Sequence, residues 1–481
     1  MKITIIGIDG LEKSIVDQYI DLLPNFKKIR EAGVLSTIDS VFPADSVPAW
    51  NTIFTGLNPS EHGIIRGRDY IESYEDFKGR LTFQLEGNTF WDKLSNDGKK
   101  CLIINPYLAY PAWKVNGVMV SGPSFVKGPS TSYPVKNQIK HPESLGGYQG
   151  VENFSSLKRD MKIAYDDTVK LLDEYKYQSN KDDFDLEFLT VTTLDRIQHY
   201  TWRFFDKNDP LHEYDEYLSN LILNMLILFD TLIGEVILKM KGEDKIIIIS
   251  DHGFGQRPYH LINLNEILRK EGLLKLKKSE SIGLKSSQKI KTKTLQVLSD
   301  LKIIDPVLKV AKIFPFLKKM KKSNHLIDIE NSTCYVDDFF NGKKPYCGLN
   351  FSTKVRNSSE QEKEKAYNDI VKFLNSGVIP KPKWICLSSD LYKGKYCSNY
   401  PDICFELPQD YGIEYELFGD NQNKSVTHYK LSGGHLGSGT YGYISNSEGK
   451  PNKLNSIIEF SNHILSFWSD SNEQNNEDFN I

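Results

Sequence analysis

The 481-residue sequence contains no Cys-x-x-Cys pair; its six cysteines (Cys101, Cys334, Cys347, Cys386, Cys397 and Cys404) are scattered along the chain. Such spacing suggests neither a zinc knuckle nor a disulfide framework, so a reducing, cytoplasmic setting is expected. An excess of one charge is missing too. Lys and Arg total 60 against 63 Asp and Glu, a formal net charge of −3, which gives no case for a sequence-specific nucleic-acid partner. The opening MKITIIGIDG has an apolar run too short for a secretory leader and ends in an acid, so it reads as a buried first strand. Long unbroken apolar runs are lacking as well. The richest stretch, LSNLILNMLILFDTLIGEVIL, carries Asn220, Asn224, Asp230 and Glu235, which argues for an amphipathic helix rather than a membrane span. There is no internal repeat. What is present is ordinary for a globular protein, 39% hydrophobic and 26% charged, with room for about two to four domains.

Four continuously apolar runs, KITIIGI (2–8), KCLIIN (100–105), LEFLTV (186–191) and KIIIIS (245–250), have the pattern of strands covered on both faces. Helical patterns lie between them, over Ser155–Tyr175 and Tyr214–Met240. The alternation predicts an α/β fold: a mostly parallel central sheet with helices on both faces, carrying an inserted, partly helical cap region. The expected division is 1–268 for the first part of the core and 269–424 for the insertion. Residues 425–470 return to the core, and 471–481 form a flexible acidic tail. Within the insertion, residues 271–322 hold fourteen lysines against four acids. A solvated helical excursion is the plainer account of that window, and peripheral contact with an anionic membrane is the sharper one.

In parallel α/β sheets, ligands collect beyond the carboxyl ends of the strands. After the first run come Asp9 and Gly10; after LEFLTV comes TTLDRIQHYTWRFFD, with Asp195 and His199 four apart and so on one face of any helix there. After KIIIIS comes Asp251-His252-Gly253, and His435 sits in the glycine-rich GGHLGSGTYGYI. Each alone has an innocent explanation as a cap or surface pair. Together, mixed acids and imidazoles at sheet ends suit zinc or manganese, which carboxylate oxygen and imidazole nitrogen bind at ~2.0–2.2 Å. Six ligands are enough for two ions. Ser46, in PADSVPAW, would follow a short strand over 36–42 and open a helix with Pro48 in its first turn. A helix start there would aim backbone N–H groups at an anion, and a cation against the hydroxyl would favour its alkoxide. A plain N-cap role for Ser46 stays open.

The order Asp9, Ser46, Asp195-x-x-x-His199, Asp251-His252, His435 resembles the alkaline phosphatase superfamily, in particular its type I phosphodiesterase/nucleotide pyrophosphatase branch. GIDG, PAWNTIFTGLNPSEHGI, INPYLAYPAWKVNGVMVSG, LDRIQHYTWRFFD, SDHGFG and GGH carry the resemblance, which is weakest from about 270 to 424. It implies that Asp195, His199 and His435 hold one divalent metal ion, and that Asp9, Asp251, His252 and the Ser46 oxygen hold the other. It further implies in-line attack by Ser46 and a phosphoseryl intermediate. The substrate class it implies is small and phosphorylated, with a phosphodiester or pyrophosphate bond. A sulfatase is not expected, because Ser46-Val-Pro48-Ala-Trp50 lacks the arginine of the sulfatase motif.

Position 49 is Ala49, where a donor to a phosphate oxygen is expected from the resemblance; Asn51 and Asn105 are the candidates to replace it, and Asn105 and Tyr110, in INPYLAYP, are pocket candidates at a strand end. His62 reads as a brace of its loop, and His428 as the rival of His435, which its glycine setting favours. Arg66 and Arg68 read as solvated, and no arginine can be placed at the site. Alternative readings keep the site but make the protein a phosphomonoesterase or phosphomutase, or make it a non-catalytic scaffold with an inert core.

Overall fold

Ile, Leu and Val crowd five short segments that have no room for an amphipathic period, and each is a strand. They are β1 (Ile3–Ile8), β3 (Cys101–Ile104), β4 (Gly117–Ser121), β6 (Leu186–Val191) and β7 (Lys245–Ile249); β2 (Val34–Asp39), β5 (Thr131–Tyr133) and the C-terminal strand Ser438–Ser445 complete one eight-stranded sheet. In this computed structural model residues 1–67, 85–124, 126–147, 150–151, 154–277, 323–336, 339–340, 342–447 and 453–473 are described. Arg68, residues 278–322 of the lysine-rich window and the tail beyond 473 lie outside them.

The strand order is β2, the C-terminal strand, β7, β1, β6, β3, β4, β5. From β7 to β4 the neighbours run parallel, and the pairs at both edges are antiparallel, so the sheet is mixed with a parallel centre. Every residue of β1 and β6 is buried, as expected of strands sandwiched by helices. One face packs Ile6, Ile8, Leu189, Val191, Ile246 and Ile248 against helices that include Leu157–Ser179 and Glu216–Lys239. The other face stacks Phe188 against Phe54, Phe90 and Trp91. Each such fully buried side chain contributes roughly 1.5–3 kcal/mol. Helix Glu216–Lys239 is long and apolar enough to cross a membrane by length and composition. Its Leu221, Ile222, Met225, Phe229 and Ile233 are in the core cluster instead, as its polar interruptions predict.

The expected strand over 36–42 is shifted: β2 ends at Asp39. Pro43 offers no N–H to a ladder, and the chain leaves the edge to turn through Phe42 toward the helix Ser46–Thr55.

The chain divides into two units. The first is Met1–Phe205, Glu213–Gly255 and His435–Ile481; the second is Asp206–His212 with Gln256–Gly434. The main stretch of the second unit begins at Gln256 and ends at Gly434. Within it His260–Asn263 pairs with Tyr411–Glu414 and Gln422–Lys424, and Leu264, Ile267 and Leu268 pack in that unit's own core. A four-stranded antiparallel sheet, with Tyr346–Phe351, Ile403–Glu406 and Trp384–Leu387 among its strands, backs onto helix Glu360–Leu374 through Ile370, Phe373 and Leu374.

Candidate functional site

Three adjacent parallel strands, β7, β1 and β6, end on the same side of the sheet, and each delivers an acid within four residues of its last. β1 delivers Asp9, β7 delivers Asp251 and His252, and β6 runs into helix Thr193–Phe205, whose first turn carries Asp195 and whose second carries His199. Gly10 makes the turn after β1 at φ +71° and its N–H donates to Asp251 Oδ1 at 3.3 Å. His435, on the strand Gly433–Leu436, joins from far along the chain.

Ser46 is the first residue of helix Ser46–Thr55. It is not the cap. Asp45 holds that place, its carboxylate accepting from Val47 N at 3.3 Å. The Ser46 hydroxyl is thus released to the site, where Oγ lies 3.2 Å from Asp9 Oδ1 and 3.1 Å from His252 Nε2. One turn later Trp50 Nε1 donates to Asp9 Oδ2 at 3.1 Å. Gly7 makes room for that indole, since a Cβ there would come within 2.8 Å of Trp50 Cη2. The helix start offers fewer free donors than expected: Val47 N is bound by Asp45, Pro48 has none, and Ala49 N donates to the Asp45 carbonyl at 3.1 Å.

The second cluster is as tight. His435 Nε2 is 3.1 Å and His199 Nε2 3.4 Å from Asp195 Oδ1, and the two Nε2 atoms are 3.0 Å apart. His435 Nδ1 faces the Ala44 carbonyl at 2.8 Å and His252 Nδ1 the Gly253 carbonyl at 3.0 Å. Protons held on Nδ1 by those carbonyls leave both Nε2 lone pairs turned into the site.

Burial is the dominant force on the carboxyl groups. It pushes Asp9 and Asp251 well above the usual carboxylate range, and the neighbouring carboxylates push in the same direction. For Asp195 burial also works upward, yet His199 and His435 together hold it well below that range. Burial brings His252 down to about 3. A neutral His252 imidazole beside crowded carboxylates makes a donor set that suits a cation. Asp251 Oδ2 is buried without a hydrogen-bond partner, and Asp195 Oδ1 is buried against the His199 and His435 Nε2 atoms. Ligand atoms of Asp9, Asp251 and His252 lie within 4.8 Å of one another, as do those of Asp195, His252 and His435. The residues fit divalent metal, and His252 belongs to both groups.

The other candidates have structural work. Asn51 Nδ2 donates to the Val47 carbonyl at 2.7 Å, and Tyr110 Oη to Pro129 O at 2.8 Å. Asn105 donates to Thr190 O at 3.1 Å and accepts from Gly146 N at 2.7 Å, pinning its loop at φ +54°. In these roles they shape the loops. His62 braces its turn through Thr52 Oγ1 and Ile64 N, both at 3.1 Å. His428 is in the second unit, bonded to Asp209 at 2.9 Å.

Sequence reasoning missed three residues: Trp50, Tyr107 and Arg196. Arg196 Nε stands 3.8 Å from Asp195 Oδ2, with its side chain 31% exposed. Burial opposes its charge, but Tyr107, Asp195, Asp9 and Asp45 together outweigh that and strengthen the guanidinium's hold on its proton. Tyr107 is buried, which raises its hydroxyl pKa, while Arg196 pulls it back. The signal for Arg196 was its place beside Asp195 in LDRIQH. It was passed over because adjacent helical residues point apart, although a long guanidinium on the first turn can curl back.

Residues 3–324 match the family model for type I phosphodiesterase / nucleotide pyrophosphatase. A stretch of 144 residues is 26% identical to ectonucleotide pyrophosphatase/phosphodiesterase family member 3 of Rattus norvegicus, covering 28% of this chain and 16% of that relative. Among solved structures, phosphonoacetate hydrolase from Sinorhizobium meliloti 1021 aligns at TM-score 0.48 and 14% identity, over 97% of this chain and 95% of that one. Murine ectonucleotide pyrophosphatase/phosphodiesterase 5 aligns at TM-score 0.44 and 13% identity, over the same shares. The family match over most of the chain decides the matter: this protein belongs to the type I phosphodiesterase/nucleotide pyrophosphatase family.

Proposed function

We propose that the protein is a two-metal phosphohydrolase that cleaves a phosphodiester or pyrophosphate bond through a phosphoseryl intermediate on Ser46. The observation that carries this reading is the position of Ser46 Oγ, buried at a helix start between Asp9 and His252 at 3.2 and 3.1 Å. Zinc or manganese held by Asp195, His199 and His435, and by Asp9, Asp251 and His252, would supply Lewis-acid charge to the attacking and leaving oxygens.

Within that frame the chain's own groups have separate tasks. Trp50 and Gly10 fix the Asp9 and Asp251 carboxylates by N–H donation. Ala44 and Gly253 fix two imidazoles through their carbonyls. Asp9 Oδ1 orients the Ser46 hydroxyl by accepting its hydrogen bond. In the first step the Oγ–P bond forms, the bond to the leaving oxygen breaks, and the proton given up by Oγ ends on that leaving oxygen. In the second, water attacks phosphorus, Oγ leaves, and one proton of the water passes to Oγ. Ser46→Ala should lower metal-dependent hydrolysis of aryl phosphate esters by at least ~10³-fold, because it removes the nucleophile from both steps. Equal metal-dependent rates for the two proteins on mono- and bis-aryl phosphates would overturn the assignment.

A further inference from the structure

The two clusters of candidate ligands meet at one glycine. Gly10 turns the chain after β1 at φ +71°, a conformation that favours glycine. Its N–H donates to Asp251 Oδ1 at 3.3 Å, in the cluster that includes Ser46. Its carbonyl accepts from Gln198 Nε2 at 2.8 Å, on the helix Thr193–Phe205 that carries Asp195 and His199. A Cβ at Gly10 would lie 3.0 Å from that Nε2 and 3.3 Å from Asp195 Cα, so the turn is packed directly on the start of the helix. Gln198 is 1% exposed. An apolar side chain would fill the same space; what the buried amide adds is a donor for the Gly10 carbonyl.

The rest of the turn is fastened toward other elements. Leu11 N donates to Ser250 Oγ at 2.9 Å, just past β7, and Thr440 Oγ1 on the C-terminal strand donates to the Leu11 carbonyl at 2.8 Å. Trp50 Nε1 holds Asp9 from the helix of Ser46, and Asp9 N is bound to Val191 O at the end of β6, ahead of the helix of Asp195. These bonds keep Asp9 beside Asp251 and His252. Gln198 supplies the side-chain bond from the turn to the helix of Asp195 itself.

We infer that Gln198 is a positioning residue that sets the Asp195–His199–His435 metal sub-site against the Asp9–Asp251–His252 sub-site by holding the Gly10 carbonyl. This rests on the two-metal part of the phosphohydrolase reading. Two ions that act on the attacking and leaving oxygens of one phosphorus need a fixed separation. Without the Gln198 donor the ligands of each sub-site keep their own anchors, but the distance between the sub-sites is free to vary. An ion in one then no longer prepares the other.

The test uses full-length Gln198→Met, which keeps the bulk of the side chain and removes the donor, with Mn²⁺ as the probe. Titration of wild type should show two ions per chain, and electron paramagnetic resonance of the filled protein should show a spin-coupled manganese pair. In Gln198→Met the first ion should bind within about twofold of wild type and the second about 10-fold more weakly, with the coupled spectrum broadened or lost at full occupancy. At saturating metal, kcat on an aryl phosphate ester should fall about 10-fold with KM within about twofold. Two ions bound at wild-type affinity with an unchanged coupled spectrum would overturn the inference and leave the two-metal reading intact. Equal weakening of both ions would also overturn it, since a merely structural role gives that result. If Gln198→Met does not fold, Gln198→Asn, whose amide is one methylene short of Gly10, carries the same comparison. Wild-type protein that binds a single ion would overturn the two-metal reading, and the inference with it.

Discussion

Trp50 reaches past Ser46 to the second oxygen of Asp9, so one helix face holds a metal-type ligand and presents the Ser46 hydroxyl. Outer hydrogen bonds of this kind typically tune metal affinity by 10- to 100-fold. Trp50→Phe keeps an aromatic ring against Gly7 and removes only the donor. We expect metal affinity to weaken by about that factor in a competition titration, while the far-ultraviolet spectrum is retained. Unchanged affinity would show that Asp9 is held by other means. The contrast with Asp9 itself shows what was legible at this scale. A carboxylate after a strand announces itself by chemistry, whereas Trp50 looks like core packing until its indole nitrogen is seen 3.1 Å from that carboxylate. Arg196 was hidden for a different reason, because helical periodicity does not describe where a flexible side chain folds back.

At the scale of elements, the helix Ser46–Thr55 is set by Asp45 and leaves Ser46 unencumbered. Removing an N-cap costs about 1 kcal/mol, and asparagine caps nearly as well as aspartate. Asp45→Ala should therefore lose about 1 kcal/mol of unfolding free energy in urea, and Asp45→Asn should lose little. Equal losses would mean that charge rather than capping stabilises the start of this helix. The central strands were readable because parallel strands buried on both faces are written as unbroken apolar runs. β2 was misplaced because an edge strand half-exposed to solvent carries no such run, and its end depends on a proline whose effect is felt through the ladder. A cap role for Ser46 stays open in the sequence because Asp45 and Ser46 are both good capping residues, and only the backbone decides between neighbours.

Across the whole molecule, the site draws on residues from 9 to 435, and metal should couple these distant segments. Burial raises the Asp9 and Asp251 pKa above the ordinary value of 3.8, so in metal-free protein their protonated forms favour the fold. That contribution is complete below the unfolded-state value and is lost as pH rises through the raised folded-state values. A divalent cation offsets the loss by pairing with the ionised carboxylates. Chelation should therefore lower the Tm, and restoring zinc or manganese should raise it more at pH 8 than at pH 5, as read by scanning calorimetry. A Tm indifferent to metal at both values would argue against a structural role for the site. In the sequence the strand His260–Asn263 looks like any other continuation of the core; its partners at Tyr411–Glu414 and Gln422–Lys424 tie it to the second unit. The central claim, that Ser46 takes the phosphoryl group, is tested most directly by quenching metal-loaded protein in acid during turnover of an aryl phosphate ester and locating phosphate by peptide mass spectrometry. The account predicts phosphoserine at Ser46 and none in Ser46→Ala. Turnover with no phosphorylated peptide under any quench, together with full activity in Ser46→Ala, would contradict it.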